Sequence, residues 1–429
     1  MIIGQLLSEA VARAPDSVAM RYLGRTVTYA ELDRMTDAPE LPQERLVFIP
    51  TTSTERPAHE VAQSVILYLA AMKRGKIAVF GARGASVSGL PNDLSDSEAI
   101  LFTSGTTGEP KAVLSTHFAR VNSAAAHVKA LDASSDDRFL MAIPLHHCFS
   151  LTANLVSALS VGASLSIPDD RHTRQLLECI ERDHCTIFNA VPTVFSSVLA
   201  RSDLASYDLS SLRTGFIGGA AYTPEFFREV DKRLGFTLIP GLGQTEGTAA
   251  YTFLPPNSPL SQRSETAGRF MEHIEGKIES NGEICIRGFC VCQVLGEPPP
   301  PDGWLHTGDL GYLDPDGCIH TVGRLDDIII RGGENIAPAE LERLIRSLFP
   351  SVTEVAVVGV PDVHFGEELL ACIAPIDAMP ESELRAQLAR HTARFKIPRY
   401  VRFYEQLPKN STGKILRREL IKDAKQRDA

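Results

Sequence analysis

Short apolar runs alternate with helix-like segments through the first half of the chain. The runs Leu46–Ile49 and Ile77–Phe80 flank a helical pattern at residues 60–74, and the alternation continues at 138–143, 151–160, 164–167, 171–182, 186–189 and 213–217. Repeats of strand, helix and strand are typical of parallel sheets covered by helices, which bind ligands at the carboxyl ends of their strands. From 282 to 322 the pattern changes to short strands with turns, which predicts a β-rich subdomain.

The length of 429 residues exceeds what one hydrophobic core usually supports, so at least two domains are expected. Beyond residue 325, helical patterns near 338–348 and 382–392 alternate with strand-like runs near 354–360, 369–374 and 400–404. We therefore predict an α/β protein with a large N-terminal domain of helix-covered β-sheets and a β-rich subdomain, residues 1–325. A small α+β C-terminal domain is predicted over residues 326–429.

Composition and charge restrict the partners. The net charge of −10 argues against a general nucleic-acid or anionic-membrane partner. The eight cysteines lack paired C-x-x-C spacing, which predicts reduced and mostly buried thiols rather than disulfides or a zinc site. Neither a signal-peptide pattern nor an apolar run of membrane-spanning length is present in the sequence. These features predict a soluble cytoplasmic protein without membrane insertion.

A loop rich in glycines and hydroxyls follows the apolar run at 99–102. Its residues are Thr103, Ser104, Gly105, Thr106, Thr107, Gly108, Glu109, Pro110 and Lys111. Glycine lets the backbone approach an anion, hydroxyl and N–H groups donate to phosphate oxygens, and lysine neutralises charge. The loop therefore predicts a phosphate site, with an exposed linker as the alternative. It lacks the Walker spacing, as does Thr412-Gly413-Lys414-Ile415, so a P-loop ATPase or kinase is not indicated.

Further stretches occur in the order found in one known family. They are Gly218-Gly219-Ala220, Gly243-Gln244-Thr245-Glu246, residues 282–288, Trp304-Leu305-His306-Thr307-Gly308-Asp309, Gly323-Arg324-Leu325-Asp326-Asp327, Gly332-Gly333-Glu334-Asn335-Ile336 and residues 408–414. With the phosphate loop, these motifs resemble the adenylate-forming (AMP-binding) enzymes, which include acyl-CoA synthetases, aryl-CoA ligases, luciferases and peptide-synthetase adenylation domains. The resemblance covers nearly the whole chain.

The resemblance implies that ATP activates a carboxylate to acyl-AMP, releasing pyrophosphate, and that a thiol then takes the acyl group. ATP, Mg²⁺ and coenzyme A, or a phosphopantetheinyl carrier protein, are the implied cofactors. Lys414 resembles the catalytic lysine, Glu246 the magnesium ligand and Thr245 an α-phosphate contact. Without the other motifs, Thr245 and Glu246 would be a helix cap and a first-turn acid, and Lys414 a surface lysine.

The same family pattern predicts the nucleotide contacts. Asp309 resembles the aspartate that binds both ribose hydroxyls, and Arg324 resembles the arginine beside it. Small residues let adenine lie along the backbone. The predicted ATP and AMP contacts are Thr103, Ser104, Gly105, Thr106, Thr107, Gly108, Lys111, Gly218, Gly219, Ala220, Leu242, Gly243, Asp309 and Arg324.

Asp326 corresponds to the hinge of the family, about which the C-terminal domain turns after adenylation. The resemblance implies that this rotation withdraws Lys414 and brings Gly332, Gly333 and Glu334 to the thiol tunnel. The 1–325 domain would bind ATP and acid, and the 326–429 domain would be the mobile lid.

Two departures from the family pattern stand out. Leu242 replaces the usual aromatic ring against adenine, which loses stacking. Only 22 residues separate Phe80 from Thr103, an interval much longer in typical members. This shortened region predicts either a trimmed but active enzyme, which we favour, or a degenerate relative that only binds nucleotide.

The predicted acid lacks an amino group, because no aspartate follows residues 144–149 at the place where amino-acid-activating relatives carry one. His147 resembles the gate beside the phosphates. The predicted substrate pocket consists of His147, Asn189, Phe216, Ile217, Gly241 and Thr248, with Asn189 available to a polar substituent. The favoured prediction is an aryl- or fatty-acid CoA ligase. Loading of a carrier protein, a nucleotide-binding regulator and a luciferase-like oxygenase are the alternatives.

Overall fold

The computed structural model describes residues 2–50, 57–81, 87–103, 111–300, 302–375, 380–409 and 415–427, with residues 425–427 described by backbone only. The chain divides into two compact units. The large unit comprises Met1–Lys277, Cys285–His306 and Pro315–Ile319, and the small unit comprises Ile278–Ile284, Thr307–Asp314 and His320–Ala429. The predicted boundary at residue 325 stays a prediction, as does movement of the C-terminal part.

The helices and strands follow in chain order. The helices are α1 (Ile3–Arg13), α2 (Tyr29–Asp37), α3 (Ala58–Lys73), α4 (His117–Leu131), α5 (Cys148–Ser150), α6 (Ser157–Val161), α7 (Thr173–Asp183), α8 (Pro192–Leu199), α9 (Pro224–Leu234), α10 (Leu260–Glu265), α11 (Pro338–Leu348), α12 (Glu381–His391) and α13 (Arg417–Arg427). A π-helical segment, Leu151–Val156, joins α5 to α6. The strands are β1 (Val18–Tyr22), β2 (Arg25–Thr28), β3 (Leu46–Ile49), β4 (Ile77–Phe80), β5 (Ser97–Thr103), β6 (Lys111–Thr116), β7 (Arg138–Leu140), β8 (Ser164–Ile167), β9 (Ile187–Phe188), β10 (Thr214–Ile217), β11 (Thr237–Pro240), β12 (Gly243–Gln244), β13 (Ala249–Ala250), β14 (Thr252–Phe253), β15 (Arg269–Phe270), β16 (Ile274–Ile278), β17 (Glu283–Gly288), β18 (Gln293–Val294), β19 (Leu305–Leu313), β20 (Ile319–Arg324), β21 (Ile329–Arg331), β22 (Glu334–Ile336), β23 (Val352–Asp362), β24 (Gly366–Pro375) and β25 (Tyr400–Phe403).

The large unit contains two large sheets and the two-stranded sheets β12-β13 and β14-β15. The first has the order β11-β10-β9-β7-β8-β1-β2 and is parallel except at the β1–β2 pair. The second has the order β18-β6-β5-β4-β3, with parallel pairs among β3, β4 and β5 and antiparallel pairs beyond. Strands β4, β8 and β10 are buried at every position, as expected where helices cover both faces.

Local sequence explains where the helices of this unit begin and end. Thr116 caps α4 by accepting a hydrogen bond from the Ala119 amide at 3.1 Å. Thr223 caps α9 in the same way, Pro224 occupies its first turn, and Gly235 ends it in the left-handed region at φ 70°. These caps fix the helices that follow β6 and β10, and both strands lead into the predicted site.

The small unit contains a sheet of order β22-β21-β24-β23, with β25 parallel to β24 and α11 packed on β23. Its core includes Ile329, Leu341, Val355, Leu369 and Leu384. The α/β class and the predicted elements at 338–348 and 382–392 are confirmed. All eight cysteines are buried free thiols. Among the described residues, no helix combines the length and apolar character needed to cross a membrane.

Candidate active site

Glu246 lies in a short 3₁₀ turn, Thr245–Gly247, that links β12 to β13. Its carboxylate is partly exposed and forms no hydrogen bond or ion pair with any described residue. The Glu246 carbonyl accepts a hydrogen bond from the Cys292 amide at 2.8 Å, which fixes the backbone of the turn. A partly exposed carboxylate on a fixed turn suits a hard divalent cation, since Mg²⁺ takes one or two protein carboxylates and otherwise binds phosphates and water. The residues present therefore fit the magnesium role.

A buried ion pair between Arg120 and Glu98 supports this turn. Arg120 of α4 donates to Glu98 of β5 at 3.2 Å, and both side chains are fully buried. One Arg120 nitrogen also donates to the Thr248 carbonyl at 2.8 Å and to the Thr152 hydroxyl at 2.7 Å. Thr248 directly follows the turn and has the uncommon φ of 69°, a conformation that these bonds hold in place.

The Thr245 hydroxyl faces the segment that carries His147. It donates to the Cys148 sulfur at 3.5 Å, so two residues far apart in sequence are brought together. Burial lowers the pKa of His147 below its usual value, which favours a neutral imidazole there. The π-helical segment Leu151–Val156 follows, and such segments are frequent at functional sites.

Glycines at the ends of β10 and β11 allow two backbone segments to approach closely. A Cβ on Gly218 would lie 2.6 Å from the Gly241 carbonyl oxygen, and one on Gly243 would lie 1.9 Å from the Ala249 carbonyl oxygen. Gly219 has φ 82°. These glycines are thus required for conformation whether or not adenine lies beside them. Leu242, between them, is half-buried and donates its amide to the Thr252 hydroxyl at 2.9 Å.

The predicted phosphate loop joins β5 to β6. Thr103 and Lys111 are cross-strand partners at its two ends. Lys111 forms an ion pair with Glu297, with Nζ and Oε1 2.8 Å apart. The middle of the loop, including Ser104, Gly105, Thr106, Thr107 and Gly108, lies outside the described residues.

In the small unit, Asp309 and Arg324 form an ion pair. The Arg324 Nη1 donates to the Asp309 carboxylate at 2.9 Å, and the pair is mostly buried. Burial alone would lower the pKa of Arg324, but the charge and hydrogen bond of Asp309, together with the charges of Asp327 and Asp326, raise it above its usual value. The sequence places these residues fifteen positions apart, and the structure joins them.

The remaining predicted residues of the small unit are exposed or lie outside the described residues. Asp326 is exposed in the 3₁₀ turn Leu325–Asp327, while Asp327 beside it pairs with Arg417 at 3.2 Å. Gly332 and Gly333 have φ of 59° and 90° in the tight turn between β21 and β22. Such a turn requires glycine, so its presence has a structural reason as well. Glu334 is exposed, and Lys414 lies outside the described residues.

The predicted acid pocket is a buried cluster. Asn189 is fully buried, donates to the Asn154 side chain at 2.9 Å and the Ala153 carbonyl at 3.1 Å, and accepts from the Phe216 amide at 2.8 Å. The side-chain amide of Asn189 therefore already donates and accepts hydrogen bonds within the protein. Ile217 is fully buried. The Thr248 hydroxyl donates to the Cys290 carbonyl, so that its side chain serves the turn described above.

A separate apolar pocket of about 530 Å³, a volume that includes the open space at its mouth, opens at the carboxyl ends of strands from both sheets. None of the described residues that line it belongs to the predicted site. They are Ile49, Pro50, Val61, Ser64, Phe80, Met141, Ile143, Pro144, Leu145, His146, Ile167, Pro168 and Arg171.

Sequence reasoning missed four buried polar residues, namely Glu98, Arg120, Ser123 and His127. Arg120, Ser123 and His127 fall at i, i+3 and i+7 of α4, a spacing that places them on one helix face. The signal available in the sequence was the presence of charged and polar residues on the otherwise apolar face of a helix, which are rarely buried unless they have a specific role.

Family models match both parts of the chain. The model for the AMP-binding enzyme covers residues 45–294, and the model for the AMP-binding enzyme C-terminal domain covers residues 340–414. The chain belongs to the AMP-binding enzyme family. The resemblance drawn from the motifs is thereby confirmed.

Two curated relatives show how this AMP-binding enzyme compares in length. YngI of Bacillus subtilis, named as a candidate acyl-CoA synthetase, is 38% identical over 340 residues, covering 74% of this chain and 62% of YngI. The mitochondrial medium-chain acyl-CoA ligase ACSF2 of Macaca fascicularis is 35% identical over 342 residues, covering 74% and 55%. The chain thus matches a little over half the length of these relatives.

Among solved structures, the anthranilate CoA ligase AuaEII in complex with anthranoyl-AMP superimposes with a TM-score of 0.85. The two chains share 22% identity, with 99% of this chain and 97% of AuaEII covered. This likeness confirms the predicted fold of the AMP-binding enzyme across its whole length.

Proposed function

We propose that this AMP-binding enzyme joins a non-amino carboxylic acid to ATP, releases pyrophosphate, and transfers the acyl group to the thiol of coenzyme A. The observation that carries the proposal is the Glu246 carboxylate, which is unpaired among the described residues, on a turn held by the Arg120–Glu98 pair. Family membership and the CoA-ligase names of the relatives support the same reaction.

Each residue has a defined task in this mechanism. Glu246 would hold Mg²⁺, which neutralises phosphate charge when bound. The Thr245 hydroxyl, already oriented toward Cys148, would turn to an α-phosphate oxygen. His147, kept neutral by burial, would close the acid side of the site without adding a second cation.

Asp309 would accept hydrogen bonds from both ribose hydroxyls through its two oxygens, oriented by Arg324. Lys414 would approach the carboxylate and the α-phosphate during adenylation and stabilise the transition-state charge. Asp326 would act as the hinge about which residues 326–429 turn, bringing Gly332, Gly333 and Glu334 to the thiol. A cytoplasmic location remains part of the proposal.

The test is pyrophosphate release with ATP and Mg²⁺ over a panel of fatty, aryl and amino acids, each with and without coenzyme A. Acid-dependent release that coenzyme A accelerates, with a thioester product, is the expected result. Release without a CoA thioester would redirect the proposal to a carrier protein. ATP binding without release for any acid would overturn it in favour of a degenerate nucleotide-binding relative.

A further inference from the structure

Two polar groups on α4 are buried and have no hydrogen-bond partner in the part of the chain that the structure describes. The Ser123 hydroxyl and the His127 Nε2 both lie in fully buried side chains, and neither finds a hydrogen-bond partner among the described residues. They are four residues apart and therefore lie on the same face of the helix. Buried polar groups are nearly always hydrogen-bonded, so two neighbouring exceptions call for a ligand or a water molecule to complete them.

The chemistry of this pair follows from its hydrogen bonds. His127 Nδ1 lies 2.7 Å from the Ser123 carbonyl oxygen, which cannot donate, so Nδ1 carries the proton and donates. Nε2 is then a lone-pair acceptor. Burial lowers the pKa of His127 to about 4, and the positive charge of Arg120 contributes in the same direction. The ring is therefore neutral near pH 7 and offers an acceptor at Nε2, and the Ser123 hydroxyl lies one turn earlier on the same helix face.

The surroundings tie this pair to the predicted acid pocket. The His127 ring meets Phe216 edge-on, with centroids 5.3 Å apart, and Phe253 at 4.6 Å. Phe216 belongs to the predicted pocket, and a Cβ on Gly241, another member, would lie 3.5 Å from the Phe253 ring. Phe253 retains 8% exposure against 1% for Phe216, so the Phe253 side is the more open.

We propose that His127 Nε2 and the Ser123 hydroxyl recognise a neutral hydrogen-bond donor at the far end of the acid substrate. The substrate class is then a carboxylic acid with an apolar, preferably aromatic, body that carries a hydroxyl or uncharged amino group. A cationic ammonium group does not fit, since Arg120 contributes repulsion at this position. This inference rests on the proposed function and adds to it the identity of the distal group.

The experiment measures kcat/KM for acid-dependent pyrophosphate exchange with matched pairs of acids. Each pair consists of an aryl or alkyl acid and the same acid with one hydroxyl or aromatic amino group, placed at successive positions. The intact enzyme should prefer one donor-bearing acid at least tenfold over its parent. His127→Leu should reduce that ratio about tenfold, which corresponds to roughly 1.4 kcal/mol, while activity with the parent acid persists. Ser123→Ala should reduce the ratio less.

His117→Leu is the matched control, because it also removes a buried histidine of α4. The His117 Nδ1 is partnered, accepting from the Ile3 amide at 3.3 Å, and the variant should leave the ratio unchanged. If His127→Leu does not fold, His127→Gln and the preference of the intact enzyme decide the matter. A water-filled site would show no preference for any donor-bearing acid, and that result, or an unchanged ratio in the variant, would overturn the inference. Absence of exchange with every acid would instead contradict the proposed function.

Discussion

Replacing Arg120 with methionine should damage both stability and catalysis. Methionine keeps much of the side-chain length but removes the charge and every donor. Arg120 bonds to Glu98, Ser115, Thr152 and the Thr248 carbonyl, at 2.7 to 3.2 Å. The variant would leave the fully buried Glu98 carboxylate without its cation, although the hydroxyls of Tyr68 and Ser115 still donate to it.

Breaking a buried ion pair by removing one partner costs about 3 to 5 kcal/mol of unfolding free energy. Urea unfolding of Arg120→Met, Glu98→Gln and the double variant measures this cost. Since the double variant buries no unpaired charge, it should be at least about 1 kcal/mol more stable than the sum of the single losses predicts. Simple additivity of the two losses would refute the ion-pair argument.

The catalytic part of the prediction concerns the Thr245–Gly247 turn. In Arg120→Met the Thr248 carbonyl keeps, among the described residues, only the Thr152 hydroxyl as a donor, so the Glu246 carboxylate should be less well positioned. A misplacement of about 1 Å can reduce the rate roughly 100-fold. Pyrophosphate exchange, measured well below the unfolding midpoint, should fall by that order. Wild-type exchange in a folded Arg120→Met protein would show that the turn does not depend on this arginine.

Three further predictions follow from other parts of the molecule. Burial keeps the pKa of His127 at about 4 in the folded state, whereas an unfolded histidine binds a proton below about pH 6.5, so the free energy of unfolding decreases as pH falls between these values. Between pH 7 and 5, the free energy of unfolding of the wild type, measured by urea titration, should therefore fall by about 2 kcal/mol more than that of His127→Gln. Lys414→Ala should abolish acyl-AMP formation but spare thioester formation from supplied acyl-AMP, and Lys409→Ala, which removes a lysine paired with Glu354, should spare both; equal loss of both half-reactions would contradict the division of labour. Asp309→Asn should raise the KM for ATP about tenfold without changing that for the acid, because each ribose contact is worth roughly 1.4 kcal/mol; an unchanged KM would remove Asp309 from the nucleotide site.

The limits of sequence prediction here have a physical origin. Strands β3 and β4 were predicted with their observed bounds, because both are short continuous apolar runs; β4 is buried at every position, whereas β3 is fully buried only at alternate positions. The bond from Arg120 to the Thr248 carbonyl joins positions 128 residues apart, and no local pattern encodes it. Asn189 stays a predicted pocket residue, but its hydrogen bonds to Asn154 and Phe216 arise only when three elements meet in the fold, so the sequence could not predict them.

One helix connects both halves of the proposed chemistry. Helix α4 starts directly after β6, the strand that leaves the phosphate loop, and its buried face contains Arg120 and, two turns later, His127. Arg120 fixes the turn that carries Glu246, while His127 contacts the cluster expected to bind the acid. The seven-residue spacing keeps both side chains on one face but about 10 Å apart along the axis. Substitutions at His127 should therefore change which acid is used without altering the affinity for ATP, whereas substitutions at Arg120 should reduce turnover with every acid alike.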